Sequence, residues 1–109
     1  MVRKKNKNLH SEEKVIKTAN KAEGVFVVIN DKGLHTRPST ELVKCTTNFK
    51  SHVNLIYQDL IVNGKSLLGI LTLAATRGSR IRIEADGEDA FQVVEEVIKL
   101  ARNKFHIQY

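Results

Sequence analysis

Apolar positions along this chain change their spacing from block to block, and each change marks an element. Val25-Phe26-Val27-Val28-Ile29 is β-branched and aromatic, which predicts a buried strand. Asn30-Asp31-Lys32-Gly33 is a turn signal. Beyond it Leu42, Cys45 and Phe49 recur at helical spacing with Val43 beside them, predicting a helix opened by Pro38 and ending near Asn48. Val53, Leu55 and Tyr57 then alternate with polar residues, as on one face of a strand from His52 to Gln58. Asp59 lies near a hairpin turn without glycine, and Leu60-Ile61-Val62 is the returning strand.

Asn63-Gly64-Lys65-Ser66 breaks that strand and opens a second helix, Leu67 to Ala74, with Ser66 as N-cap. Ile70, Leu73 and Ala74 are expected to face the core, leaving Leu67, Leu68 and Leu71 partly exposed. Ile81, Ile83 and Ala85 alternate with Arg82 and Glu84, so the next strand has one solvated face. Phe91, Val94, Val97, Ile98, Ala101 and Phe105 form the stripe of the longest helix. Glu88 and Asp89 lie at its positive end, with Lys99, Arg102 and Lys104 toward its negative end. Glu95 and Lys99 are spaced as an i, i+4 pair. The order β-α-β-β-α-β-α, with strands pairing mainly antiparallel and helices on one face, predicts an α+β two-layer domain over residues 24–109.

Charge divides the chain differently. Its net charge is +6, yet residues 1–23 alone hold seven Lys/Arg against three Glu, while the remainder holds eleven Lys/Arg against nine Asp/Glu. Residues 1–23 therefore read as a basic, flexible extension, polar at Arg3-Lys4-Lys5-Asn6-Lys7. Within it, Ser11 to Lys21 could form a short helix capped by Ser11. The basic tail accounts for most of the charge, which argues against a nucleic-acid surface on the domain. Six aromatics, mostly at core positions, argue the same way. Arg80 and Arg82 are interleaved with Glu84 and Asp86, as on a solvated sheet face.

No apolar run approaches the roughly 20 residues of a membrane span, so direct insertion is not expected. The basic N-terminus lacks the apolar segment of a secretory signal. Cys45 is the sole cysteine, which excludes an internal disulfide and suits a reducing cytoplasm; beside apolar helix neighbours it reads as a small core residue. His10, His35, His52 and His106 have no ligand spacing, so no metal is expected, and no cofactor is implied.

Chemistry concentrates at Gly33-Leu34-His35-Thr36-Arg37-Pro38-Ser39. Pro38 suits a first helical turn, where its missing N–H has no intrahelical acceptor, and Gly33 permits the turn before it. His35 then stands where a strand ends and a helix begins. Free N–H groups at a helix start favour a phosphate on or near the ring, and Arg37 offers a planar fork of donors to the same oxygens. By itself a histidine in this position is more often a cap or a solvated residue. Ser66 also has two readings: a structural cap, and a phosphosite where about −2 of charge is tolerated at a helix start. Leu67, Leu68 and Leu71 suggest a partner-docking patch, against the alternative of a helix buried all round.

Gly33-Leu34-His35-Thr36-Arg37-Pro38 and Asn63-Gly64-Lys65-Ser66, about thirty residues apart at two helix starts in one β-α-β-β-α-β-α order, closely resemble HPr. This family comprises the histidine-containing phosphocarriers of the bacterial phosphoenolpyruvate-dependent sugar phosphotransferase system. The resemblance runs from Gly24 to about Phe105. It implies an open-faced β-sandwich, a four-stranded antiparallel sheet covered on one side by three helices. It also implies a carrier rather than an enzyme, phosphorylated on Nδ1 of His35 by charged enzyme I, serving as co-substrate and passing the group to a sugar-specific enzyme IIA. Arg37 would assist transfer. Ser66 matches the serine that a dedicated HPr kinase/phosphorylase modifies in many members, and Leu67, Leu68 and Leu71 match the apolar docking patch. A monomer suits such a shuttle. Thr36 and Ser39 depart from the alanines usual in the family, placing two hydroxyls near His35. The alternative within the same resemblance is a regulatory phosphoprotein read through Ser66 without a sugar-transport relay.

Overall fold

A computed structural model describes residues 15–109. Five strands alternate with three helices: β1 (Ile16–Thr18), β2 (Lys21–Val27), α1 (Thr36–Thr46), β3 (His52–Tyr57), β4 (Leu60–Asn63), α2 (Leu67–Thr72), β5 (Arg80–Asp86) and α3 (Ala90–Arg102). The sheet order is β1-β2-β5-β3-β4 and every pairing is antiparallel. β5 is the central strand, with Phe26 opposite Ile81 on one side and Leu55 opposite Ile83 on the other. Its strict alternation explains the open-faced form. Ile81, Ile83 and Ala85 are buried with Val93, Val94, Val97 and Ile98 of α3 in one core, whereas Arg82 faces water and meets Glu84 at 2.6 Å.

The family fold read from the sequence is present, with a fifth strand that the reading lacked. The helix expected over Ser11 to Lys21 does not form across its described part. Residues 16–18 and 21–27 make a hairpin instead, with Ile16 opposite Glu23 and Thr18 opposite Lys21. Propensity lost here to the sheet edge. The exposed backbone of β2 offers unpaired donors and acceptors, and a short strand satisfies them. Ser11 to Lys14 and the basic run before them lie outside the described residues.

Smaller differences follow from similar competition. β2 ends at Val27, and it is half-buried rather than wholly buried: Ala22 and Phe26 point inward while Val25 and Val27 are partly exposed. α2 stops at Thr72, and Ala74, expected in the core, is exposed with φ +50°. Ala75 takes its place inside. α3 buries Ala90 and Val93, while Phe91 is only partly covered, under the Lys17 ammonium 5.0 Å from its ring centre. Phe105 is buried but lies beyond α3, on a turn where Lys104, Phe105 and His106 have φ of 55°, 55° and 63°. Lys99 meets Glu96 at 3.5 Å, not Glu95.

Candidate functional site

The loop before α1 is fixed from both sides. Gly33 has φ +71°, and a Cβ there would lie 2.4 Å from the Ala75 carbonyl oxygen, so only glycine fits. The close approach lets the Leu34 N–H donate to that carbonyl at 2.9 Å, and the Leu34 side chain is buried. The loop entering α1 is thus tied to the loop leaving α2, which brings the two sequence motifs into one region of the molecule.

His35 occupies the N-cap position of α1 in extended conformation (φ −77°, ψ −168°), and no side chain caps this helix. Its carbonyl accepts the Ser39 N–H at 3.0 Å, closing the first turn. The N–H groups of Thr36 and Arg37 have no acceptor within the helix, and Pro38 has no N–H to satisfy. The His35 ring is half-buried, and its Nε2 is covered without a hydrogen-bond partner.

Arg37 is exposed, and its guanidinium donates at 2.8 Å to the Tyr109 hydroxyl. The Tyr109 ring lies flat against His35, with centroids 5.4 Å apart and planes 18° apart. Lys32 brings a second cation, its Nζ 4.8 Å from the Tyr109 ring centre, and its N–H bonds the Tyr109 carbonyl at 3.1 Å. Tyr109 and Lys32 were not singled out in the sequence. Nothing in local spacing links residue 109 to residue 35; only the turn after α3 does so. The two hydroxyls flagged near His35 separate. Ser39 is buried and donates to the Leu34 carbonyl at 2.9 Å, so it is committed to the loop. Thr36 is exposed at the helix start.

Ser66 is the N-cap of α2 (φ −107°, ψ 113°), and its Oγ accepts the Gly69 N–H at 3.0 Å. Ile70 and Leu73 anchor α2 in the core, whereas Leu68 is 75% exposed and Leu67 and Leu71 are partly covered. Cys45 is half-buried, and burial together with the nearby Glu96 carboxylate pushes its thiol up to about 11. Such a thiol is neutral near pH 7 and a poor nucleophile.

Residues 22–103 match the family model described as the PTS HPr component phosphorylation site. This chain belongs to the HPr family. The phosphocarrier protein HPr of Xylella fastidiosa is 36% identical over 84 residues, covering 77% of this chain and 94% of that protein. The multiphosphoryl transfer protein of Haemophilus influenzae is 41% identical over 83 residues, 73% of this chain but only 17% of that much longer protein. The solved structure of HPr-C-His from Thermoanaerobacter tengcongensis superposes with a TM-score of 0.75 at 28% identity, over 80% of this chain and 98% of that one. The matched residues take in the three helices and both motifs, and the chain is a phosphotransfer carrier of the phosphotransferase system.

Proposed function

We propose that His35 is the residue that carries the phosphoryl group, accepting it on Nδ1 from phosphoenolpyruvate-charged enzyme I and giving it to a sugar-specific enzyme IIA. The observation that carries this reading is the uncapped start of α1 at a half-buried His35 whose Nε2 is covered and unpartnered. A neutral imidazole is a competent nucleophile near pH 7. Its Nδ1 lone pair attacks phosphorus as the bond to the donor breaks. The charge on the transferring oxygens is met by the N–H groups of Thr36 and Arg37 and by the Arg37 guanidinium. No bound metal enters this step. A carrier must release what it accepts, and a few hydrogen-bond donors hold a phosphoryl group less tightly than a metal centre would.

The protein acts as co-substrate of the phosphotransferases it meets, and Leu67, Leu68 and Leu71 form the apolar surface on which they dock. The exposure of Leu68 on a helix anchored by Ile70 supports this role, since a large apolar side chain in water gains nothing for the fold. Phosphorylation of Ser66 by an HPr kinase/phosphorylase would place its charge beside that surface and weaken docking by acidic partners. Among the described residues no helix is long and apolar enough to cross a membrane, which is compatible with a shuttle working in the cytoplasm. The full chain is incubated with phosphoenolpyruvate and enzyme I, and the phosphate is mapped. Acid-labile label on His35, absent from His35→Ala, is the expected result. A folded chain left unlabelled by an enzyme I active on another carrier would reject the reading and favour the regulatory module read through Ser66.

A further inference from the structure

Among the described residues, Nε2 of the His35 ring has no hydrogen bond to fix the ring plane. Nε2 is covered but unpartnered, and rotation about the bond to the ring is soft for an imidazole. Its flat contact is with Tyr109. The Arg37 guanidinium donates to the hydroxyl of the same Tyr109 and lies 5.8 Å from its ring centre. One side chain therefore touches both His35 and Arg37.

The chain is bent deliberately to bring it there. After α3, three successive non-glycine residues take left-handed φ values, a conformation costing on the order of 1 kcal/mol at each. Phe105 is driven into the core against Phe26, edge to face at 6.1 Å. The buried Asn30 side chain donates to the carbonyls of Lys104 (2.9 Å) and Ile107 (3.3 Å), clamping the turn from the loop that precedes His35. The Lys32 N–H then holds the Tyr109 backbone. Strain of this kind persists where surrounding contacts over-determine it, and here its outcome is a tyrosine against the histidine.

We propose that Tyr109 is a positioning residue for phosphoryl transfer: its ring sets the plane of His35 and its hydroxyl holds Arg37 ready beside it. The inference rests on His35 as the phosphoryl acceptor. A stacked ring covers a face of the imidazole, whereas the attacking lone pair on Nδ1 lies in the ring plane, so the contact orients the nucleophile without blocking its line of attack. As the N–P bond forms and the donor's bond to phosphorus breaks, the proton on Nε2 is retained and the ring becomes positive. The electron-rich Tyr109 face favours that charge. Arg37 then exchanges a neutral phenol oxygen for charged phosphoryl oxygens, the stronger acceptors.

The test compares Tyr109→Leu and Tyr109→Phe with the wild-type chain as acceptors from phosphoenolpyruvate-charged enzyme I, alongside proton and nitrogen NMR of the His35 ring. Tyr109→Leu should lower the maximal rate about tenfold at unchanged KM, because α2 is untouched. It should also abolish the ring-current shift of the His35 protons. Tyr109→Phe keeps the stack but loses the hydroxyl that holds Arg37, so it should keep the shift and recover only part of the rate. A Tyr109→Leu chain that is folded by circular dichroism, has lost the shift and still accepts phosphate at the wild-type rate or faster would overturn the proposal. Failure of the wild-type chain to be labelled at His35 is a separate result, against the acceptor assignment itself.

Discussion

The starts of α1 and α2 are built from similar parts and finished in opposite ways. Both follow a glycine-containing turn, both have an extended residue at the N-cap, and both lie in the region joined by the Leu34–Ala75 contact. At α2 the Ser66 hydroxyl accepts the Gly69 N–H, so the helix start is satisfied from within. At α1 the N-cap residue is His35, which gives its ring no role in capping, and Pro38 removes one donor that would otherwise need a partner. A protein that wanted only stable helices would put serine at both places, because a good N-cap is worth about 1 kcal/mol over a residue that does not cap. Leaving α1 uncapped leaves the N–H groups of its first turn without an intrahelical acceptor, as the proposed phosphoryl role requires. α3 finishes in a third way: Asp89 sits at its start but turns its carboxylate to the N–H groups of Lys50 (2.9 Å) and Ser51 (3.0 Å) and to the Ser51 hydroxyl. One helix start is open, one is closed on itself, and one ties down a neighbouring loop.

The largest effect expected from this contrast is at the open start. Arg37 is exposed and its hydrogen bond goes to Tyr109, so Arg37→Ala should cost little stability, within about 0.5 kcal/mol for a surface substitution. Removing one charged donor from a developing phosphoryl transition state should slow labelling of His35 by about 10²-fold. Arg37→Lys should recover only part of this, since an ammonium cannot offer the planar fork. Rates of phosphate uptake from charged enzyme I measure both, and an Arg37→Ala rate within a factor of about two of wild type would remove the guanidinium from the mechanism.

At the closed start the observed capping role of Ser66 and its proposed regulatory role can be separated. Ser66→Ala removes the Oγ acceptor for Gly69 and should destabilise the fold by about 1 kcal/mol, lowering Tm by about 4–8 °C, with labelling of His35 unchanged. Ser66→Asp keeps a capping oxygen and so keeps most of the stability, but puts a permanent charge beside Leu67 and Leu68. It should raise the KM of the carrier for enzyme I about tenfold if that partner's docking surface is acidic. Thermal melts and acceptor kinetics on the same pair of variants read the two roles independently. A Ser66→Asp chain with wild-type KM would leave Ser66 a cap and nothing more.

Most of the framework was legible because it depends on local periodicity. Alternation at Ile81, Ile83 and Ala85 and helical spacing from Val94 to Ala101 each bury one face, and the structure buries those faces. The turn chemistry around Gly33 and the cap at Ser66 were equally local. What escaped depends on partners distant in sequence. β1 exists because β2 has an open edge, and Glu96 rather than Glu95 meets Lys99 because of side-chain direction on a formed helix. Phe105 fits the helical stripe by spacing, yet reaches the core through a left-handed turn clamped by Asn30, 74 residues away from Lys104. Tyr109 could not have been placed against His35 without that turn. The candidate site was legible as far as its helix start, while the aromatic floor under the histidine belongs to tertiary structure.

The third helix start gives the smallest effect and the one most sensitive to pH. The Ser51 hydroxyl foremost, and then the backbone N–H of Lys50, hold the Asp89 carboxyl below the usual carboxylate range. A carboxylate favoured by the fold contributes stability that is fully present above its unfolded-state pKa of about 3.9. That contribution is lost as pH falls through the lower folded value. Asp89→Asn cannot ionise, and its amide nitrogen cannot accept the bond that one carboxylate oxygen now takes. It should therefore be less stable than wild type at pH 7, with the difference narrowing as the solution is acidified below about pH 4. Denaturant melts of the two chains from pH 7 to pH 2 measure this directly. A constant difference across that range would mean that Asp89 holds the Lys50-Ser51 loop through shape and neutral hydrogen bonds, and that its charge contributes nothing. Convergence at low pH would show that this helix start, unlike the one at His35, uses its negative charge to join two segments of the fold.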